Sequence, residues 1–171
     1  MTTKTPTPAA VIAALGTLVS TMLVARAVAE VLREEVDGYK QAILDAGDYR
    51  DQYTDERITE PSDDWTMSDE ESSSYLALLD ATVRAAGHNP PEGFCPALMA
   101  ESALRDAQAA MIKAAEPFFG VTAGQLLCGT KTERGLETHA KYLDLLTGLV
   151  VNAPGFTFPT PLVEAAAMRT L

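Results

Sequence analysis

The sequence predicts an all-α protein: a long N-terminal helix packed on a bundle of shorter helices, with an acidic loop excursion between them. Three observations lead there. Hydrophobic residues make up 47% of the 171 positions but aromatics only 6%, a balance that suits closely packed helices better than β-sheets, which draw on β-branched and aromatic side chains. Apolar residues recur at three- and four-residue spacing in most of the chain, the period of one helix face. Helix-start patterns recur between those stretches. The length fits one domain, residues 1–171, divided into a long helix at 8–46, an acidic segment at 47–67 and a helical bundle at 68–171.

The first helix is expected from Pro8 to Ala46, since proline is tolerated in a first turn and Gly47 offers a left-handed stop. Val11, Leu15, Leu18, Met22, Ala25, Ala29, Leu32, Val36, Tyr39 and Ile43 follow one another at unbroken 4,3 spacing. Such a run describes a packing seam of the coiled-coil or bundle kind, and it is the first candidate interface. Ile12, Val19 and Leu23 widen the stripe in the N-terminal half, so that end is expected to be covered on two sides, by the chain's own helices or by another subunit.

Residues 5–25 carry no charge and follow Lys4, which is also how an export signal or a membrane span can begin. Against a membrane role, the seam keeps one register from this stretch into the charged half of the helix, and Thr17, Ser20 and Thr21 dilute its hydrophobicity.

Asp45 to Glu71 holds eleven Asp or Glu against Arg50 and Arg57, and so accounts for −9 of the chain's formal charge of −11. Gly47, Pro61 and the scattered polar residues predict a loop or a short irregular hairpin pairing Tyr49–Asp51 with Arg57–Thr59, pinned by Trp65. A charge run of this kind is ordinarily a solvated surface. Its sharper reading is a docking surface for a basic protein, with Asp63, Asp64, Asp69, Glu70 and Glu71 as candidates, or a mimic of nucleic-acid charge. The same acidity argues against direct nucleic-acid binding, which needs a basic footprint.

Ser68-Asp69-Glu70-Glu71 is a capping-box pattern that starts a second helix, with Leu76, Leu79, Val83 and Ala86 inward and Gly87 as its stop. After a Pro-rich turn the third helix is expected from Pro96 to Glu116, with Ala97, Ala100, Leu104, Ala107, Met111 and Ala114 inward and Pro117 limiting it. Capping patterns at Thr122–Gln125 and Thr130–Glu133 predict a short helix to Leu127 and a fourth long one to Val151, with Leu136, Ala140, Leu143 and Val150 inward. A short helix follows Thr160-Pro161.

Catalytic and cofactor motifs do not assemble. His88, Glu92, Cys95, Cys128 and His139 are the possible soft-metal ligands, but the paired short spacings that pre-organise a zinc site are missing. Gly124 to Thr132 approaches a phosphate-binding loop, and the inserted Thr130 breaks the pattern. Two histidines and no nucleophile elbow leave little for acid–base or nucleophilic catalysis. The acidic segment lacks the residue order of a calcium loop. No enzyme, metal or cofactor is therefore expected, and Cys95 and Cys128 read as small apolar residues in a reducing compartment, with one disulfide between them as the alternative.

Arg50-Asp51, Arg57-Ile58-Thr59-Glu60-Pro61, Met67-Ser68-Asp69-Glu70-Glu71 and Phe94-Cys95-Pro96-Ala97-Leu98 together resemble segments of small helical proteins of tailed bacteriophages and prophages. The resemblance implies a viral setting, in the virion or the host cytoplasm, and carries no functional residues with it. The expectation it adds is a structural or assembly subunit in contact with copies of itself or with other virion proteins. The alternatives are an acidic inhibitor or adaptor of a basic host protein, and an exported or membrane-anchored protein through residues 5–25.

Overall fold

The computed structural model describes residues 7–61, 66–91, 95–122 and 132–159. These form four α-helices, α1 Pro8–Ala46, α2 Asp69–Ala85, α3 Pro96–Phe119 and α4 Glu133–Val151, and no strand is present among them. The chain divides into two compact units, residues 28–100 and the rest, and both α1 and α3 contribute to each. The expected short helix before Leu127, the one after Thr160, Trp65 and the phosphate-loop pattern through Lys131 all lie outside the described residues.

Helix α1 has the predicted bounds and, at 39 residues, is about 58 Å long at 1.5 Å per residue. Thr7 opens it: its carbonyl accepts from the Ala10 and Val11 amides at 2.9 and 3.2 Å, which satisfies donors that the first turn leaves free. The other end differs from expectation. Gly47 closes the helix by donating to the Ile43 carbonyl at 3.0 Å, yet it is not among the glycines at positive φ. Its reason is close approach, because a Cβ there would stand 2.8 Å from Cδ2 of the Tyr49 ring.

In the first unit Val11, Leu15, Val19 and Met22 of α1 share a core with Met111, Ile112 and Ala115 of α3 and Leu143, Leu146 and Val150 of α4. The chain's own helices therefore cover this end of the seam. By length and composition α1 could cross a membrane; Val11, Leu15, Val19 and Met22 lie in the core, Ile12, Leu18, Leu23 and Val24 are half-buried, and Ala13, Ala14, Thr17 and Thr21 face outward. Helix α3 runs through Pro117 to Phe119 rather than stopping at Glu116. A proline in a last turn forfeits one hydrogen bond without breaking the helix, and Gly120, at φ 69°, closes it on the Glu116 carbonyl at 2.9 Å.

Helix α4 starts two residues later than the Thr130 pattern suggests: Thr132 is its N-cap, and its hydroxyl accepts from the Gly135 amide at 3.1 Å. Its inner face is Leu143, Leu146 and Val150. Leu136 and Ala140, expected inward, are exposed, because the buried face is centred nearer Leu146. Asn152 ends the helix with both its amide and its side-chain Nδ2 on the Gly148 carbonyl, and Phe156 folds back onto the core.

The second unit has its own small core of Ile43, Leu44, Ile58 and Tyr75, with Tyr49, Met67 and Leu79 against it. The Ser68 capping box forms as predicted, both halves present. Tyr75 and Val83 are the buried residues of α2, while Leu76 and Ala86, expected inward, are exposed. Tyr75 sits edge-on to Tyr49 with ring centroids 5.5 Å apart, a favourable aromatic geometry that turns the helix by one residue from the Leu76 alignment.

Candidate functional site

The expected interface seam alternates in burial. Val11, Leu15, Met22, Ala29, Val36 and Ile43 are buried, while Leu18, Ala25, Leu32 and Tyr39 are half-buried. These residues are therefore largely taken up by the fold itself. What stays outside is a second set of large apolar side chains: Val28 and Val31 on α1, Leu76 and Leu78 on α2, Leu98, Met99 and Phe119 on α3, Leu136, Leu145 and Leu149 on α4. Scattered exposed apolar residues are ordinary in a folded protein, but pairs one turn apart on a solvent face make a surface. Val28 with Val31 and Leu145 with Leu149 are such pairs.

The acidic excursion is built rather than loose. Arg50 and Arg57 form an antiparallel bridge, with Ile58 donating to the Tyr49 carbonyl at 2.9 Å and Asp51 to the Glu56 carbonyl at 3.0 Å, close to the predicted pairing. Asp51 organises the turn: its Oδ1 accepts from the amides of Tyr53 and Thr54 at 2.9 and 3.0 Å, and its Oδ2 accepts from the Thr66 hydroxyl. The Thr66 hydroxyl above all, then the two amides, hold the Asp51 carboxyl down at about 2. Asp55 takes a positive φ of 56°, which aspartate tolerates. Asp48 and Asp55 pair with Arg50, and Asp48 also with Arg57.

Of the five acidic docking candidates, Asp63 and Asp64 lie outside the described residues. Glu71 is drawn into the capping box, accepting from the Ser68 hydroxyl at 2.6 Å and the Ser68 amide at 3.3 Å. Asp69 and Glu70 are exposed in the first turn of α2, where negative charge complements the helix dipole.

A cluster that sequence reasoning missed joins α1 to the end of α2. Gly87, at φ 96°, lets the His88 amide reach back to the Val83 carbonyl at 3.2 Å and the Gly87 amide to Arg84 at 3.0 Å, a Schellman closure. Within the same unit this turn sets His88 Nε2 3.2 Å from Glu35 Oε1. The Tyr39 hydroxyl, one turn along α1, donates to that same oxygen. The hydrogen bond from Tyr39, then that from His88, hold the Glu35 carboxyl below its usual value, and the Tyr39 hydroxyl is raised in turn. The i,i+4 pairing of Glu35 and Tyr39 was open to prediction; the distant His88 was not.

The remaining chemical candidates are placed as follows. Cys95 is a half-buried free thiol just ahead of α3, His139 is half-buried on α4, and Glu92 and Cys128 lie outside the described residues. No group of three metal-ligating side chains occurs among the described residues. Comparison with protein-family models, with curated proteins and with solved structures returns no match.

Proposed function

We propose that this chain is a non-enzymatic structural or assembly subunit that works through helix-mediated protein contacts. The phage-like segments suggest a tailed-bacteriophage virion as its setting. The observation that carries the reading is the second apolar set on the outer faces of α1 and α4, left over after the core has been filled.

Size-exclusion chromatography with light scattering, together with co-purification from its native setting, tests the proposal. Self-association, or recovery with a particle or a defined protein partner, is the expected result. A monomer at all concentrations that accompanies no particle and no partner overturns it.

A further inference from the structure

We infer that the α4 outer face of one copy docks antiparallel on the Val28–Val31 face of α1 in a second copy, a head-to-tail contact. The inference rests on the assembly reading and names its partner.

The two surfaces match in apolarity, and one pair of opposite charges falls in register with them, Lys141 being flanked on α4 by Glu137 and Asp144. On α1, Val28 and Val31 are 46% and 44% exposed, and Glu35 lies one turn further towards the C-terminus on the same side. On α4, Leu149 and Leu145 are 44% and 54% exposed, and Lys141 lies one turn further towards the N-terminus on the same side. Reading 28, 31, 35 against 149, 145, 141 sets apolar on apolar and carboxylate on ammonium, which only an antiparallel arrangement does. From valine or leucine to the charge is four residues in each, about 6 Å at 1.5 Å per residue.

Charge is also divided between the units in the sense the contact needs. Residues 28–100 carry 17 Asp or Glu against five Lys or Arg, whereas the other unit carries seven against eight. The net charge of −11 opposes any association of two copies at long range, and pairing two acidic faces with each other adds local repulsion that pairing an acidic face with a near-neutral one avoids. Lys141 already pairs with Glu137, but this is an exposed i,i+4 pair of small worth and can exchange partners. Glu35 is better prepared, because Tyr39 and His88 both engage Oε1 and so orient the carboxylate before any partner arrives. A contact between two different faces leaves one of each open at the ends, which is the geometry that builds rings or filaments.

Two double variants of the full chain test this, V28E/V31E and L145E/L149E, all at exposed positions. Circular dichroism and thermal melting first establish that each folds as the parent does. The parent is expected to associate with rising concentration, and each variant alone to be monomeric by light scattering. Mixed one to one, the variants should form a heterodimer and nothing larger, because each retains the one face that the other lacks. In addition, Lys141→Glu should weaken association of the parent about tenfold and flatten its dependence on salt. A mixture that stays monomeric, a variant that associates as the parent does, or Lys141→Glu without effect overturns the docking. A parent that is monomeric throughout but co-purifies with a particle overturns the docking and leaves the assembly function standing.

Discussion

His88 Nε2 lies 3.2 Å from Glu35 Oε1, and this joins the turn that closes α2 to the C-terminal half of α1. Tyr39 donates to the same oxygen, so one carboxylate receives two side-chain donors. Both favour the ionised form, and they hold the carboxyl below its usual value. A depressed carboxylate stabilises the fold at pH above its unfolded value and loses that contribution as pH falls through the folded one. Glu35→Gln is therefore expected to lower the melting temperature at neutral pH, with the difference from the parent vanishing in acid. Melting curves between neutral and acidic pH check this, and a difference that persists unchanged in acid contradicts it.

Asp51 makes a similar prediction at a different place. Its carboxyl stands at about 2 because Thr66 and the Tyr53 and Thr54 amides all donate to it. The turn should stay ordered as pH falls past the ordinary aspartate value near 3.8 and loosen only towards about 2. Asp51→Asn keeps the shape but exchanges a charged acceptor for a neutral one. Hydrogen exchange at the Tyr53 and Thr54 amides should quicken in that variant at neutral pH, with α2 amides unaffected.

Ser68 accepts from the Glu71 amide at 3.4 Å while the Glu71 carboxylate bonds back to it, and together they replace the backbone partners that a first turn lacks. Ser68→Ala should cost about 1 kcal/mol in urea denaturation, the usual loss for a serine cap. Glu71→Gln retains an acceptor and should cost less.

The capping box and the α1 bounds could be read from sequence because they depend on residues within one turn of each other. The inner faces were harder. Leu76 and Tyr75 are adjacent and both can be buried, and the choice falls to Tyr75 because the Tyr49 ring meets it edge-on, a contact no helical period reveals. Gly47 misled for the same reason: its missing side chain makes room for Tyr49 and not for a left-handed turn. The seam was visible as a pattern, but which of its positions the chain's own helices would cover depended on α3 and α4. The Glu35–Tyr39–His88 cluster needed the α2 turn in place before its third member could appear.

Tyr142 holds its hydroxyl buried without a hydrogen-bonding partner among the described residues, and burial, with Glu116 adding to it, raises the group. An unsatisfied buried polar atom typically costs about 1–3 kcal/mol. Tyr142→Phe removes that atom and keeps the ring. Stability by urea denaturation should be unchanged or higher, whereas a loss of more than about 1 kcal/mol would reveal a partner for the hydroxyl.

Leu145 and Leu146 are neighbours in sequence with opposite fates, 54% and 0% exposed. Leu146 lies in the core with Met22 and Met111, so Leu146→Ala removes buried methyl groups and leaves a cavity that the surrounding helices close only in part. Its expected cost is about 2–5 kcal/mol. Leu145→Ala removes similar atoms from a solvent face, and alanine is also the better helix former, so the monomer's stability should change by no more than about 0.5 kcal/mol. Urea denaturation at a concentration low enough to exclude association gives these intrinsic values. Repeated at high concentration, the measurement should separate parent from Leu145→Ala, since only the parent then gains from a contact made by the native state. Equal denaturation of the two at both concentrations would mean that Leu145 faces solvent alone.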